Sequence, residues 1–334
     1  AYQTLDSSVS EDDEPYSRLP GIRMNWDKSF ELNLEDAGGY LRDDSTRFSL
    51  RPEFDSELVN FNHSVANKTK GLRLDLQPAI SLPMERTYGA ITPKLTYAYT
   101  AYSVHDQPDN KPSSPTRGIY LFEIGSELFL EREVSWQAQA HTQTLVPSLS
   151  YHYVPYEDQD DLPVFDSGSV GFDNIADAFL QDGFWGSDRI QNFQGFTLGL
   201  SSETYELETG DQLLRWELAQ QIYLADRDVT LGDNEADSSE FSPFLGEVEF
   251  HINEHIKTDG FINWDWEENQ VSRWRAEARY NPDFRRELKV EYAWEASQQD
   301  LELAMTWPLG RRWQVGGRAL IGESDFEDSG SYTR

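Results

Sequence analysis

Gln212-Leu213-Leu214-Arg215-Trp216-Glu217-Leu218-Ala219-Gln220-Gln221-Ile222-Tyr223-Leu224 is the stretch that decides how this chain folds. Its even positions Leu214, Trp216, Leu218, Ile222 and Leu224 are apolar, and Arg215, Glu217 and Gln221 fall between them. A strand sends successive side chains to opposite faces, whereas a helix repeats every 3.6 residues. The stretch therefore reads as one long strand with an apolar and a polar face. The same period runs downstream. Val248, Phe250 and Ile252 alternate with Glu247, Glu249 and His251, and Ile262, Trp264 and Trp266 with Asn263, Asp265 and Glu267. Trp274, Ala276, Ala278 and Tyr280 alternate with Arg273, Arg275, Glu277 and Arg279. Leu288, Val290, Tyr292 and Trp294 interleave with Glu287, Lys289, Glu291 and Glu295; Leu301, Leu303, Met305 and Trp307 follow, then Trp313, Val315 and Ala319.

Two features separate this pattern from an ordinary soluble sheet. Several segments alternate over about 9 to 11 residues, the length a tilted strand needs to cross a bilayer, against roughly 5 or 6 in globular proteins. Trp264, Trp266, Trp294, Trp307 and Trp313 lie near segment ends or on the apolar face, as interfacial girdles require. The other face is charged, with Asp265 and Glu267 preceding Arg273, Arg275 and Arg279, so adjacent strands are placed to pair charges across a wet lumen. In a dry sandwich core the same charges would cost several kcal/mol each if unpaired. Short turns at Leu82–Gly89 and Trp307–Trp313 contrast with longer acidic connections at Ser103–Arg117, Glu157–Asp188 and Asp226–Ser242. The fold expected is all-β, a transmembrane antiparallel up-and-down β-barrel. At roughly 20 to 24 residues per strand and connection, the chain supplies a partial arc of about 14 to 16 strands. A soluble β-sandwich or propeller is the alternative.

Composition narrows the function. The 334 residues carry 60 acidic and 28 basic side chains, a net charge of -32, which excludes the basic footprint that nucleic acid requires. Cysteine is absent, removing disulfides and thiolate chemistry; 10 Trp, 16 Tyr and 18 Phe exclude a disordered chain. No apolar run approaches a transmembrane helix, and Ala1 to Asp13 lack the basic and apolar regions of a signal peptide. Carboxylate pairs such as Asp160–Asp161 and Asp43–Asp44 are what 60 acids produce by chance. Asp158-Gln159-Asp160-Asp161 lacks the glycine and terminal glutamate of a calcium loop, and His251 and His255 stand where a strand pattern ends. No catalytic, cofactor-binding or metal residues are assigned, and the chain is read as a non-enzyme.

The most informative segment runs from Thr142 to Leu200. Tyr151-His152-Tyr153-Val154-Pro155-Tyr156-Glu157-Asp158-Gln159-Asp160 is followed by Phe165-Asp166-Ser167, then Phe184-Trp185-Gly186-Ser187-Asp188-Arg189-Ile190, then Gln194-Gly195-Phe196-Thr197-Leu198-Gly199-Leu200. This order and spacing resembles the barrel of the LptD family of lipopolysaccharide-assembly proteins. That family carries Tyr-Val-Pro-Tyr-Arg-Asp-Gln, then Phe-Asp, then Gly-x-Asp-Arg-Ile before an Asn-Gln-Leu-Thr-Leu-Gly strand. Pro15-Tyr16-Ser17-Arg18-Leu19-Pro20 is similar to its Pro-Tyr-x-Arg-Leu-Pro element, and the tail around Trp307 to Arg318 to its late strands. Glu157 replaces the family's arginine, and Asn192-Phe193-Gln194 its Ala-Asn-Gln.

The resemblance implies that residues 1–334 are a partial outer-membrane barrel domain, without the family's periplasmic jelly roll and its first and last strands. It implies a lipopolysaccharide translocon of the Gram-negative cell outer membrane, releasing cargo into the outer leaflet through a lateral opening, with no cofactor. The implied partners are lipopolysaccharide, a plug lipoprotein of the LptE type, a periplasmic bridge protein of the LptA type and outer-membrane lipid. The implied lumen or plug contacts are the motif residues Tyr153, Pro155, Tyr156, Asp158, Gln159, Phe165, Asp166, Gly186, Asp188, Arg189, Ile190 and Gln194. A loop holding Phe179, Phe184, Trp185 and Ile190 is too apolar for a solvated tip and is expected to fold inward, with Asp188 and Arg189 against the plug. Pro78, Pro147 and Pro155 sit in or beside strands, where a missing N–H weakens the ladder or simply marks an edge or turn. A passive porin-like or adhesin-like barrel would share the alternation but not the Tyr-Val-Pro-Tyr and Asp-Arg-Ile segments. A soluble carbohydrate-active β-protein would need a carboxylate pair facing an aromatic cleft.

Overall fold

Each long alternating run forms a β-strand. The structure is a computed structural model that describes residues 14–32, 47–108, 110–136, 139–232, 236–295, 298–324 and 332–333; Ser7 to Asp13 and the Asp43–Asp44 pair lie outside them. The strands are β1 (Ser17–Asp27), β2 (Phe30–Glu31), β3 (Arg47–Asn62), β4 (Lys70–Ser81), β5 (Met84–Arg86), β6 (Gly89–His105), β7 (Thr116–Leu128), β8 (Leu130–Trp136), β9 (Gln139–Val154), β10 (Gly168–Ser169) and β11 (Phe184–Trp185). They continue as β12 (Phe193–Glu206), β13 (Gln212–Tyr223), β14 (Phe244–Asn253), β15 (Ile256–Asp265), β16 (Gln270–Asp283), β17 (Arg286–Glu295), β18 (Gln298–Leu309), β19 (Trp313–Ser324) and β20 (Tyr332–Thr333). Fourteen long strands, β1, β3, β4, β6, β7, β9 and β12 to β19, pair antiparallel in the order in which the chain makes them. The expected up-and-down meander is thus present.

The strands exceed the expected span. β3 and β9 run for 16 residues and β6 for 17; of the three long connections expected, Ser103–Arg117 shortens to 106–115, while the other two extend to 155–192 and 224–243. The connections 106–115, 155–192 and 224–243 share one rim, and the tight turns 254–255, 284–285 and 310–312 the other. Proline breaks the ladder on one edge only. Pro78 stays opposite Phe54 of β3, while pairing with β6 skips from Leu76 to Ala79. Pro147 stays opposite Leu200 of β12, while its other edge falls at the break between β7 and β8. A residue without an N–H can serve as acceptor to one neighbour and interrupt the other.

The two faces differ in chemistry. Outward residues include Tyr120, Val290 and Leu303, 60%, 48% and 40% exposed. An apolar surface spread over so many strands would aggregate in water and is matched by hydrocarbon, where strand pairing satisfies the backbone. The inner face carries charge in bands. Glu249, Asp259, Glu277, Glu291 and Glu302 stand directly opposite one another across β14 to β18. The next row holds His251, Lys257, Arg279 and Lys289. Like charges directly opposite repel, and contacts made diagonally and along the strand offset this. Lys257 lies 2.9 Å from Glu249 and 3.5 Å from Asp259, and Lys289 2.8, 3.2 and 3.5 Å from Glu291, Glu277 and Glu302. Arg279 reaches Glu277 at 2.7 Å, and Arg318 reaches Glu302 at 2.6 Å.

Opposite-sign pairing between Asp265 or Glu267 and the arginines of β16 is not what forms. Register sets Asn263 opposite Arg273, the Asp265 carboxylate caps its own turn through the N–H groups of Glu267 and Glu268, and Arg273 turns to Glu295 and Asp173.

The two faces predict opposite responses to charge. Val290→Arg, on the outer face, is expected to cost about 2–4 kcal/mol in urea unfolding from lipid bilayers. Glu291→Gln, one residue away on the inner face, should stay within about 1 kcal/mol.

Candidate functional site: a connection folded onto the inner wall

The connection 155–192 between β9 and β12 lies against the inner face of the strands. Each of the three buried apolar clusters joins it to the wall. Leu162 and Phe165 pack with Val59, Phe61, Tyr102 and Val104; Ile190 with Ala98, Ile119, Val154 and Phe193; Ile175 and Ala178 with Ala219, Leu245 and Phe261. Phe165 stacks on Phe61 with ring centroids 4.4 Å apart, and Tyr16 closes the group edge-on at 5.1 Å from Phe165. Of the four apolar residues expected to fold inward, Ile190 and Phe184 are buried and Phe179 packs against the third cluster, whereas Trp185 is 58% exposed. Its short 3-10 helix, Ile175–Phe179, starts from Asn174, with the Asp177 side chain accepting from the Asn174 N–H.

Polar anchoring centres on Arg73 of β4, which is 1% exposed. Its guanidinium donates to Asp166 at 2.5 and 3.0 Å, to Asp188 at 2.7 Å and to Glu57 of β3 at 2.8 Å. Arg18 of β1 adds contacts to Glu57 at 2.6 Å and Asp166 at 3.3 Å. Asp188 is fully buried and also accepts from the Tyr102 hydroxyl at 2.9 Å and from the N–H groups of Phe165 and Asp166 at 2.7 and 2.8 Å. Burial alone would raise the Asp188 carboxyl; the Arg73 charge and these donors outweigh it and hold the group below the ordinary carboxylate range. At Asp166 burial prevails over Arg73, and that carboxyl sits above its ordinary value. Gly186 makes the turn possible: its φ is +88°, and a Cβ there would meet the Asp166 carbonyl oxygen at 2.6 Å.

The remaining motif residues fall into two groups. Gln159 is buried, accepts from Arg117 of β7 at 2.8 Å, and exchanges two hydrogen bonds with the Ile190 backbone at 2.7 and 3.0 Å. Arg189 is buried and donates to the carbonyls of Asp188, Leu162 and Pro163 at 2.9, 3.0 and 3.4 Å, so its charge folds the connection on itself. Tyr153, Tyr156 and Asp158 are exposed, Pro155 is half-buried, and Gln194 pairs with Tyr153 between β12 and β9. The sequence reading singled out the loop's residues and missed their partners in the wall, Arg73, Tyr102, Arg117 and Glu57. For Arg73 a signal was present in Leu72-Arg73-Leu74-Asp75-Leu76, where an arginine and an acid take the inward positions of an apolar strand.

Further along lies the partly exposed ion pair of Asp173 with Arg273, together with neutral hydrogen bonds to the wall. Thr197 and Gln221 donate to the Ala178 carbonyl at 3.1 and 2.8 Å, and Asn263 to the Phe172 carbonyl at 3.0 Å. Between this part and the connection 224–243 lies a cavity of about 220 Å³ lined in part by Asp182, Phe184, Tyr223, Arg227 and Val229. Burial pushes the Asp182 carboxyl up to about 7, against the opposing N–H donors of Gln191 and Phe184.

A lipid-matched outer face, a charged inner face and a polar connection packed inside define the wall of an antiparallel transmembrane β-barrel. Residues 1–313 match the family model described as LPS transport system D, and the chain belongs to that family. It is 30% identical to the LPS-assembly protein LptD of Hahella chejuensis over 95% of this chain and 39% of that protein. It is 31% identical to the protein of the same description from Pseudomonas syringae pv. syringae, over 95% and 35%. For the one from Aromatoleum aromaticum the figures are 29%, 94% and 37%. The chain thus spans well under half the length of these relatives.

Two outcomes follow for the anchored connection. Arg73→Ala leaves Asp166 and Asp188 without their guanidinium and is expected to cost about 3–5 kcal/mol of docking, read as lost hydrogen-exchange protection over 155–192. For Asp182 the docked value, about 7, lies above the ordinary 3.8. The docked state therefore keeps a proton that the released state gives up, and docking weakens as pH rises from 3.8 to about 7 and then levels off. Protection factors near Asp182 should fall from pH 5 to pH 8, and Asp182→Asn should flatten that dependence.

Proposed function

We propose that this chain forms part of the wall and internal closure of an outer-membrane lipopolysaccharide translocon in a Gram-negative bacterium. The observation that carries the reading is the pairing of an apolar outer face with an inner face banded in charge. Such a wall holds two solvents apart: the sugar and phosphate portions of a glycolipid travel against the inner face while acyl chains stay in hydrocarbon. In this reading lipopolysaccharide arrives from a periplasmic bridge protein of the LptA type, through parts of the protein beyond this chain, and leaves by a lateral opening into the outer leaflet. The work is transport, with no residue assigned to bond-breaking.

The connection 155–192 favours this over a passive porin, because a segment fixed by buried charges obstructs open diffusion along the part of the lumen it covers. Nine of the twelve motif residues then divide by role. Gln159, Phe165, Asp166, Gly186, Asp188, Arg189 and Ile190 shape the connection, while exposed Tyr156 and Asp158 are the ones free to meet a plug lipoprotein of the LptE type.

Photo-crosslinking in cells tests the reading with the whole protein. A crosslinker at Glu247 or Glu291 of the inner face is expected to capture lipopolysaccharide, and one at Tyr156 or Asp158 a lipoprotein. Absence of lipopolysaccharide adducts at both inner positions, in protein that is folded in the membrane, would sink the proposal.

A further inference from the structure

The turns between β16 and β17 and between β18 and β19 carry a charge unlike the rest of the chain. Asp283-Phe284-Arg285-Arg286 and Leu309-Gly310-Arg311-Arg312-Trp313 place four arginines beside one carboxylate, in a chain of 60 acidic and 28 basic residues. The turns touch: Arg285 donates to the Gly310 carbonyl, and Gln314 to the Arg285 carbonyl, each at 3.4 Å. Arg286 lies 3.5 Å from Asp283. Among the described residues Arg285, Arg311 and Arg312 form no ion pair.

Their position on the wall gives this charge a meaning. The outer face of β17 and β18 runs through Val290, Leu288, Leu303 and Met305 and ends at Arg286, Trp307 and Leu309. The Arg286 guanidinium lies over the Trp307 ring, 5.3 Å from its centroid, and Leu309 stands opposite Trp313 of β19. Leu309, Trp313 and Phe284 are 63%, 74% and 98% exposed. Indole rings with arginines just beyond an apolar stripe match the boundary between hydrocarbon and water, where rings sit at headgroup depth and long cationic side chains reach the phosphates. The guanidinium fork fits a phosphodiester's paired oxygens. The other rim has the opposite character: connection 155–192 holds nine carboxylates against Arg189 alone.

We infer that these two turns form a docking surface for anionic phospholipid headgroups. The phosphodiester of a phosphatidylglycerol-type lipid lies among Arg285, Arg286, Arg311 and Arg312, with acyl chains along Leu288, Met305 and Trp307. The short-turn rim is thereby fixed at a leaflet of anionic phospholipid, and the acidic rim faces away from it.

The test uses the whole protein in neutral detergent with spin-labelled phosphatidylglycerol or phosphatidylcholine, reading the immobilised fraction of each. The wild type is expected to prefer phosphatidylglycerol, with the preference falling as salt is raised. R285S/R311S/R312S, confirmed as folded by resistance to unfolding in cold detergent, should lose about tenfold of that preference, and lysine at the three positions should retain most of it. An equal preference in wild type and the serine variant overturns the inference. So does an unchanged preference accompanied by loss of a soluble acidic protein from the variant, which would make the patch a protein contact.

Discussion

A polypeptide in hydrocarbon has to satisfy each backbone N–H and C=O from within, and a sheet does so only by pairing each strand with the next. Much else here is a consequence of that constraint. Pairing in chain order gives the meander, pairing over ten or more residues gives strands that span, and the pleat then gives each strand one side chain for lipid and the next for the lumen. Where proline removes a donor, at Pro78 and Pro147, the ladder yields on one edge and holds on the other, so the sheet bends without parting.

The inner face then has a problem of its own. Strand register brings five carboxylates into one row, and water is their first solvent. The adjacent basic row supplies the second, through contacts of 2.6 to 3.5 Å made diagonally or along the same strand instead of directly across. Since these groups remain partly solvated, each contact contributes little alone; together they fix the sign pattern of the inner face.

How much of this was legible follows from periodicity. Alternation across Gln212–Leu224 and the strands after it is a local property, and it gave the strands, their lipid face and the all-β class. Spacing around Tyr153, Asp166 and Asp188 marked the connection, because those residues cluster in sequence. Their partners do not. Arg73 precedes Asp188 by more than a hundred positions, and no local pattern announces that its guanidinium is buried against that carboxylate. For the same reason Asp265 and Arg273 looked like partners across a turn, and the register, decided by the whole ladder, separated them. Arg189 looked available for a partner and is consumed by three carbonyls of its own connection.

The connection is held by different means along its length. Near Asp166 and Asp188 it is fixed by buried charges whose separation costs several kcal/mol. Its middle, from Phe172 to Leu180, is held by the apolar cluster of Ile175 and Ala178 with Ala219, Leu245 and Phe261 and by Thr197, Gln221 and Asn263 donating to carbonyls, bonds worth about 0.5–1.5 kcal/mol each in net terms. The ion pair of Asp173 with Arg273 is partly exposed and adds little through water. The segment is thus held by buried charge against β1 to β7 and by apolar packing with neutral hydrogen bonds against β12 to β15.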